Sequence, residues 1–159
     1  MTHFRLFCNT TLAFIILFGT VAAGQDWSQW RGPDRDGAAP SFQLPEGKWP
    51  ERLIRRWTVE VGQGYAAPLL VGDRIYSFTR QDDDEVMQAL DASSGETIWR
   101  SAYPALFEMN PGTRYHGPGP KSTPVFADDR LFTLGMTGIV TAFDAVTGKQ
   151  LWQHPATPK

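Results

Sequence analysis

The chain has 159 residues, a formal net charge of −2 and ordinary hydrophobic content. It carries no excess of basic residues, so the composition argues against a nucleic-acid partner or an anionic-membrane surface. Its one cysteine, Cys8, lies in a segment expected to be removed, so the mature chain is predicted to lack disulfides, thiolate nucleophiles and cysteine metal ligands.

Residues 1–24 have the pattern of a secretory signal peptide. Arg5 precedes an unbroken apolar run over residues 12–18, and small residues follow at 19–24. The run is shorter than a membrane span of about 18 residues, although an uncleaved anchor remains an alternative. We therefore expect a periplasmic or secreted protein whose mature part begins with an N-terminal extension over residues 25–56.

The rest of the chain is predicted to be all-β. No apolar stripe of helical period is sustained over three turns, and Gly and Pro divide the sequence into short pieces rich in β-formers. The predicted strands are Leu69–Val71, Arg74–Thr79, Val86–Leu90, Thr97–Trp99, Pro124–Ala127, Arg130–Leu134 and Ile139–Phe143.

A repeat organises these strands. ALDASSGETIW at residues 89–99 recurs as AFDAVTGKQLW at 142–152. The segment before it, APLLVGDRIYSF at 67–78, recurs as TPVFADDRLFTL at 123–134, at an offset three residues longer. Three residues are therefore missing between the second and third strands of the later copy. Four strands per unit at this period predict propeller blades, here about residues 66–100 and 122–154 within a repeat region of 57–159. LIRRWTVEV, around Trp57, is predicted to add one lone fourth strand.

The repeated phrase has a structural interpretation. The carboxylate of Asp144 can accept backbone N–H bonds in a turn, and Gly148 can supply the positive φ that closes the hairpin. The small Ala142 leaves room for Trp152, which can pack from the outermost strand onto an adjacent blade. The first copy places the same residue types at Ala89, Asp91, Gly95 and Trp99.

These eight positions resemble the tryptophan-docking motif of PQQ-type β-propeller repeats, which occur in quinoprotein dehydrogenases and in the barrel-assembly scaffold lipoprotein BamB. DWSQWRGPDRDG at residues 26–37 and GPGPKSTP at 117–124 look like segments of exported PQQ-like propellers. The resemblance implies an incomplete propeller, either the N-terminal portion of a longer one or one of several copies forming a ring. Truncation is the favoured expectation, because an isolated pair of blades would leave two blade faces wet.

Alternating hairpins place the irregular insertions, Tyr103–Pro120 and Gln81–Glu85, at one end of the blades, where we expect any binding site. Arg114 and Lys121 could hold an anionic ligand and His116 could act near neutral pH, or all three could face water on a plain connector. QDDDE at 81–85 could bind a hard cation, but a solvated hairpin tip is the preferred interpretation. No metal site is therefore predicted.

No catalytic residues are predicted. The chain lacks GxSxG, HExxH and a phosphate-binding glycine loop that opens a helix. By the resemblance, a quinoprotein dehydrogenase would use PQQ with Ca²⁺ and, in many members, an adjacent cysteine pair that is missing here. We expect no cofactor in this chain and a non-catalytic scaffold that binds further blades, further copies or an envelope protein. The alternative is part of a PQQ-dependent alcohol or sugar dehydrogenase.

Overall fold

The computed structural model describes residues 25–40, 42, 44 and 47–155, so the predicted signal peptide and the last four residues lie outside the described part. The described residues form two four-stranded antiparallel sheets, each in simple sequential order. The all-β prediction with two blades is confirmed. The first blade contains β1 (Leu69–Val71), β2 (Arg74–Gln81), β3 (Asp84–Asp91) and β4 (Thr97–Pro104); the second contains β5 (Val125–Ala127), β6 (Arg130–Leu134), β7 (Val140–Asp144) and β8 (Gln150–His154).

Several strands run further than predicted. The β2–β3 ladder continues until Gln81 pairs with Asp84, which leaves Asp82 and Asp83 as a two-residue turn. β4 passes Trp99 and ends at Pro104, because β3 offers it a partner along its whole length. The insertion between the blades therefore begins at Ala105 and not at Tyr103. The short connection between β3 and β4 is predictable from its own turn residues. The end of a strand is not, because it depends on how far the neighbouring strand extends.

The solvated tip predicted for residues 81–85 is correct for only part of that segment. Asp82 and Asp83 are exposed, but Glu85 is fully buried as a residue of β3. Its position in the ladder turns its side chain toward the second blade, and no local sequence signal reveals this orientation.

The lone extra strand predicted around Trp57 is not formed in the described part of the chain. Residues 52–62 carry no strand pairing, and Gln63 makes only an isolated bridge to Arg80. A strand requires a ladder partner, and neither described sheet includes this segment. The segment nevertheless positions the indole of Trp57 against the first blade.

The core lies between the two sheets. Cross-strand pairing places alternate side chains of β2, β3 and β4 in rows on one face of the first blade, which the second blade covers. Tyr76 and Phe78 are buried there, and Tyr103 stacks on Phe143 of the second blade with ring centroids 6.5 Å apart. Leu131, Phe143 and Ala145 complete this core from the second blade.

The N-terminal extension links the inner edges of both blades. The N–H of Trp27 donates to the carbonyl of Leu70 in β1 at 2.6 Å, and the N–H of Phe126 in β5 donates to the carbonyl of Ser28 at 2.8 Å. Asp26 also accepts a bond from the N–H of Gly72 at 2.8 Å. The exposed edges of β1 and β5 are thereby partly paired, which reduces the tendency of edge strands to pair with other chains.

The described residues include no helix with the length and apolar character that crossing a bilayer requires.

Candidate functional site

The repeated hairpins at residues 91–95 and 144–148 have the same geometry. Oδ1 of Asp91 accepts bonds from the N–H groups of Ser93 and Ser94 at 2.9 and 2.8 Å and from the Ser93 hydroxyl at 2.6 Å. These bonds favour the charged form, so they hold the pKa of Asp91 at about 2. Oδ1 of Asp144 accepts from the N–H and hydroxyl of Thr147 at 2.8 and 2.7 Å, and these bonds lower its pKa. In each hairpin, Oδ1 of the aspartate thus accepts several bonds within its own turn.

Trp99 joins the first blade to the second. Its indole N–H donates to the carbonyl of Ala145 at 3.1 Å, and its ring covers Gly148. A Cβ added at Gly148 would lie 2.6 Å from Cδ2 of Trp99, and the φ of +74° at this glycine also disfavours a side chain. The Tyr76 hydroxyl donates to the same Ala145 carbonyl at 3.1 Å. Trp99 is therefore a packing residue between blades.

Trp57 occupies the corresponding position on the first blade. Its indole N–H donates to the carbonyl of Ala92 at 3.1 Å, and a Cβ at Gly95 would lie 2.6 Å from Cε3 of its ring. Ala92 and Gly95 are the repeat equivalents of Ala145 and Gly148. Trp57 thus docks on the first blade as Trp99 docks on the second, although its own segment has no strand pairing.

Trp152, the third member of this series, has no blade beneath it in the described part of the chain. Its side chain is 40% exposed and contacts Phe132 and His154, with ring centroids 6.1 and 5.4 Å away. Ala142 lies opposite it across the β7–β8 ladder, as Ala89 lies opposite Trp99, and both alanines are fully buried. The small residue thus makes room for the indole in each blade.

The two ends of the blades carry different features. At the hairpin end, the N–H of Ala92 donates to the carbonyl of Asp73 at 2.9 Å, so the β1–β2 and β3–β4 turns lie side by side. At the opposite end, which we call the loop end, the N–H of Ala105 donates to the carbonyl of Asp83 at 2.9 Å. The insertion at residues 105–120 therefore starts beside the β2–β3 turn.

Both ends of the insertion are anchored. Nη1 of Arg80, which is buried, donates to the carbonyl of Ala105 at 2.8 Å. At the far end, the carbonyl of Pro120 accepts bonds from the N–H groups of Tyr65 and Ala66 at 2.8 and 3.1 Å. Between these anchors, Pro111–His116 forms a 3₁₀ helix with no buried residue. The scaffold thus presents an exposed loop from fixed ends.

Arg114, His116 and Lys121 are all exposed on or beside this 3₁₀ helix. Lys121 reaches the helix: its Nζ donates to the carbonyls of His116 and Gly117 at 2.7 and 3.2 Å. The ammonium also lies 4.4 Å from the ring centroid of Tyr65. The Lys121 ammonium is therefore engaged in local contacts. It lies at the end of the 3₁₀ helix that carries Arg114 and His116.

Two tyrosines that the sequence analysis did not single out belong to the same surface. The Tyr115 ring is tilted against the His116 ring with centroids 4.3 Å apart and is 78% exposed, and Tyr65 is 62% exposed beneath Lys121. We call Tyr65, Arg114, Tyr115, His116 and Lys121 the loop-end cluster. Tyr115 could have been found from its place between two candidates, whereas Tyr65 joins through tertiary contact alone.

The described residues contain no group of three or more His, Cys, Asp or Glu side chains arranged to hold a metal ion. Asp83 of the acidic run is 3.5 Å from Nη2 of the buried Arg80, and Glu85 of the same run points between the blades. The run therefore does not converge on one point.

Residues 54–157 match the family described as outer membrane protein assembly factor BamB. Solved structures similar to the chain include BamB from Moraxella catarrhalis, at 25% identity and a TM-score of 0.44, with 63% of this chain and 26% of that one covered. A europium-containing methanol dehydrogenase is 21% identical with a TM-score of 0.41, over 60% of this chain and 16% of that one. The chain thus spans about a quarter or less of the length of these proteins, and the search of curated proteins finds no match.

The family match covers most of the chain and includes both repeated hairpins and all three docking tryptophans. The chain belongs to the BamB-type family of PQQ-like β-propeller repeat proteins.

Proposed function

We propose that this chain is part of an exported, non-catalytic propeller scaffold that binds a protein partner in the cell envelope through its loop end. The single observation that carries the proposal is the loop-end cluster: exposed aromatic and cationic side chains on an insertion whose two ends are anchored. Tyr and Arg are enriched at protein interfaces, where rigid aromatic groups supply contact area at low entropic cost. Loops on a rigid scaffold are the usual site of such binding.

The docking tryptophans support a structural role for the blades. Trp57 and Trp99 each donate an indole bond to a carbonyl of the next hairpin and cover its glycine. These contacts use the N–H and one ring face of each indole for packing between neighbouring units. We therefore assign partner binding to the loops and packing between blades to the tryptophans.

The family match supports the envelope assignment. The matching family is described as an outer membrane protein assembly factor. An exported scaffold is also in keeping with the signal-peptide pattern of residues 1–24, which stays a prediction. The remaining blades, from the same polypeptide or from other copies, are the further partners that we propose for the exposed Trp152 face.

The alternative function is that of a PQQ-dependent quinoprotein oxidoreductase of the alcohol or sugar dehydrogenase type. Among the described residues, no group of three or more His, Cys, Asp or Glu side chains is arranged to hold the Ca²⁺ of such a site. A quinone site would have to be built mainly by residues outside this part of the chain. We therefore derive no step through PQQ.

A crosslinking experiment tests the scaffold proposal. A photoreactive amino acid replaces Tyr115 in the complete polypeptide in cells, and a matched variant carries it at Val146, which is exposed on the hairpin end. We expect an adduct with a component of outer-membrane protein assembly from position 115 and none from position 146. Absence of an adduct at 115, or equal adducts at both positions, would contradict binding through the loop end.

A second assay separates the two functions. The complete polypeptide is mixed with PQQ and Ca²⁺ and assayed for dye-linked oxidation of alcohols and sugars. The scaffold proposal predicts no turnover and no absorbance band of bound quinone. Turnover would establish the oxidoreductase and overturn the scaffold.

A further inference from the structure

Glu85 is a fully buried acidic residue at the boundary between the two blades. Its Oε1 accepts a bond from the backbone N–H of Met136 in the second blade at 2.6 Å. Its Oε2 accepts a bond from the hydroxyl of Tyr103 in the first blade at 2.8 Å. One carboxylate is therefore hydrogen-bonded to both sheets at once.

The carboxylate belongs to a polar row on an otherwise apolar face. Arg80, Glu85 and Tyr103 are direct partners across β2, β3 and β4, so their side chains share the face that meets the second blade. Arg80 and Tyr103 are each only 5% exposed. A buried carboxylate is costly unless hydrogen bonds satisfy it, so the partners of Glu85 are essential to this face.

Arg80 does not neutralise Glu85 by direct contact. Its guanidinium is directed to the carbonyl of Ala105 at 2.8 Å and to Asp83 at 3.5 Å. Among the described residues, Glu85 forms no ion pair within 4.0 Å. The N–H of Met136 is therefore the contact by which the second blade satisfies the charge.

The second blade supplies this donor through a shortened hairpin. Its copy of the repeat lacks three residues between the second and third strands, so β6 ends at Leu134 and the chain turns through Gly135–Gly138. By the repeat offset, Met136 stands where the first blade has Arg80, so the turn lies at the level of the polar row. Because three residues are absent, β6 does not continue, and a turn with a backbone N–H facing Glu85 takes its place.

Gly135 completes the contact by leaving space. A Cβ at this position would lie 2.6 Å from the carboxyl carbon of Glu85. The φ of Gly135 is outside the left-handed region, so alanine would be tolerated by the backbone itself. The close approach of the carboxylate, and not the turn conformation, therefore requires glycine.

We infer that the shortened β6–β7 turn is a socket for the Glu85 carboxylate and that this contact specifies how the second blade packs against the first. A blade with a full-length hairpin, or with a side chain at position 135, would leave Glu85 buried without its donor. A buried polar contact can make the packing of two largely apolar faces specific. Glu85, Met136 and Gly135 thus form one specific contact between the two blades.

Thermal unfolding of the complete chain and its variants tests this inference. Glu85→Ala should lower the Tm by about 10 °C, because a bond to a buried charge is lost and its donors are left unpaired. Gly135→Ala should also lower it, because the added Cβ displaces the Glu85 carboxylate from its bond to the N–H of Met136. In the double variant, Gly135→Ala should cost no more than about 2 °C beyond Glu85→Ala, because the clashing carboxylate is gone.

Glu85→Gln is the second variant, since it retains side-chain volume and one acceptor oxygen. We expect a smaller loss than for Glu85→Ala, and Gly135→Ala should remain costly in the glutamine background. Glu96→Gln, at an exposed position on the hairpin end, is the control and should leave the Tm unchanged. Additive losses of Glu85→Ala and Gly135→Ala would overturn the socket. A Tm cost of Gly135→Ala that is as small in the Glu85→Gln background as in the Glu85→Ala background would overturn it as well.

Discussion

The indole of Trp99 rests on the backbone of Gly148, with its N–H bonded to the carbonyl of Ala145 at 3.1 Å. The contact brings the outermost strand of one blade onto the hairpin of the next. Trp57 repeats it one blade earlier on Gly95 and Ala92. Two successive docking contacts with the same geometry explain why the motif at residues 89–99 recurs at 142–152.

Replacement of the docking glycine should reduce stability much more than replacement of a glycine that also has a positive φ but has open space where a Cβ would lie. Gly148→Ala combines left-handed backbone strain with overlap against Trp99, whereas Gly72→Ala has a φ of +58° with nothing within 4 Å of the added Cβ. We expect Gly148→Ala to lower the free energy of unfolding by about 3 kcal/mol and Gly72→Ala by about 1 kcal/mol. Urea denaturation measures both. Equal losses would mean that Trp99 does not restrict Gly148 in solution.

The three docking tryptophans should differ in their energetic contributions. Trp99→Ala removes a ring packed between blades and should cost about 3–5 kcal/mol. Trp152→Ala removes a ring that is 40% exposed and should cost less than half as much. Denaturation midpoints of the two variants provide the comparison. A larger loss at Trp152 would show that its face is covered in solution by another blade.

The hairpin aspartates should make stability depend on acid pH. The pKa of Asp91 is about 2 in the folded chain, below its ordinary value of 3.8, because the Ser93 hydroxyl and nearby N–H groups bond to the charged form. A folded pKa below the unfolded one stabilises the fold above about pH 4, and this contribution is lost as the pH falls toward 2. Ser93→Ala should raise the pKa of Asp91 toward its ordinary value and so reduce the stability that is lost between about pH 4 and pH 2.

Titration of the Asp91 carboxyl by NMR, in the parent and in Ser93→Ala, measures this shift. An unchanged midpoint in Ser93→Ala would show that the hydroxyl does not hold the carboxylate.

The buried phenols should limit stability at alkaline pH. Burial raises the pKa of Tyr103 and of Tyr76, so the folded chain favours their neutral forms. Their stabilising contribution is complete below the ordinary tyrosine pKa near 10 and declines as the pH rises beyond it. Tyr103→Phe should therefore reduce the steepness of the decline in Tm above pH 10. The same decline in parent and variant would contradict this role.

Lys121 should order the loop-end cluster without contributing much to global stability. Lys121→Ala removes its bonds to the carbonyls of His116 and Gly117 and its contact with the Tyr65 ring. We expect faster amide exchange at Gly117, whose N–H bonds to Arg114, and a Tm within about 2 °C of the parent. Lys149→Ala on the exposed hairpin end is the control and should leave exchange at Gly117 unchanged.

The sequence predicted the blades well because their signals are local. Turn residues such as Gly95 and Gly148 and the alternating β-formers between them are read over a few positions, and Leu69–Val71 and Arg130–Leu134 have the predicted bounds. The repeat then related the two copies without any structural information. For the predicted blade strands, only the end residues differ from the prediction, since a ladder extends as far as the partner strand allows.

Features that depend on distant partners were not predictable. Glu85 was read as part of a solvated acidic tip, but the ladder turns it toward a backbone donor at Met136, 51 positions away. Tyr65 meets Lys121 through a tertiary contact, beside the bond that its N–H donates to the carbonyl of Pro120. The segment around Trp57 has strand composition, yet it lacks a ladder partner in the described residues and keeps only its indole contact.

Hydrogen exchange of the indole N–H groups, followed by NMR in the complete chain, tests the central claim most directly. If Trp99 fixes the two sheets as neighbouring blades, its indole proton should exchange at least about 100-fold more slowly than that of Trp152, because opening the interface costs several kcal/mol. Equal exchange rates for the two indoles would show that Trp99 is free of the second blade and would contradict the account.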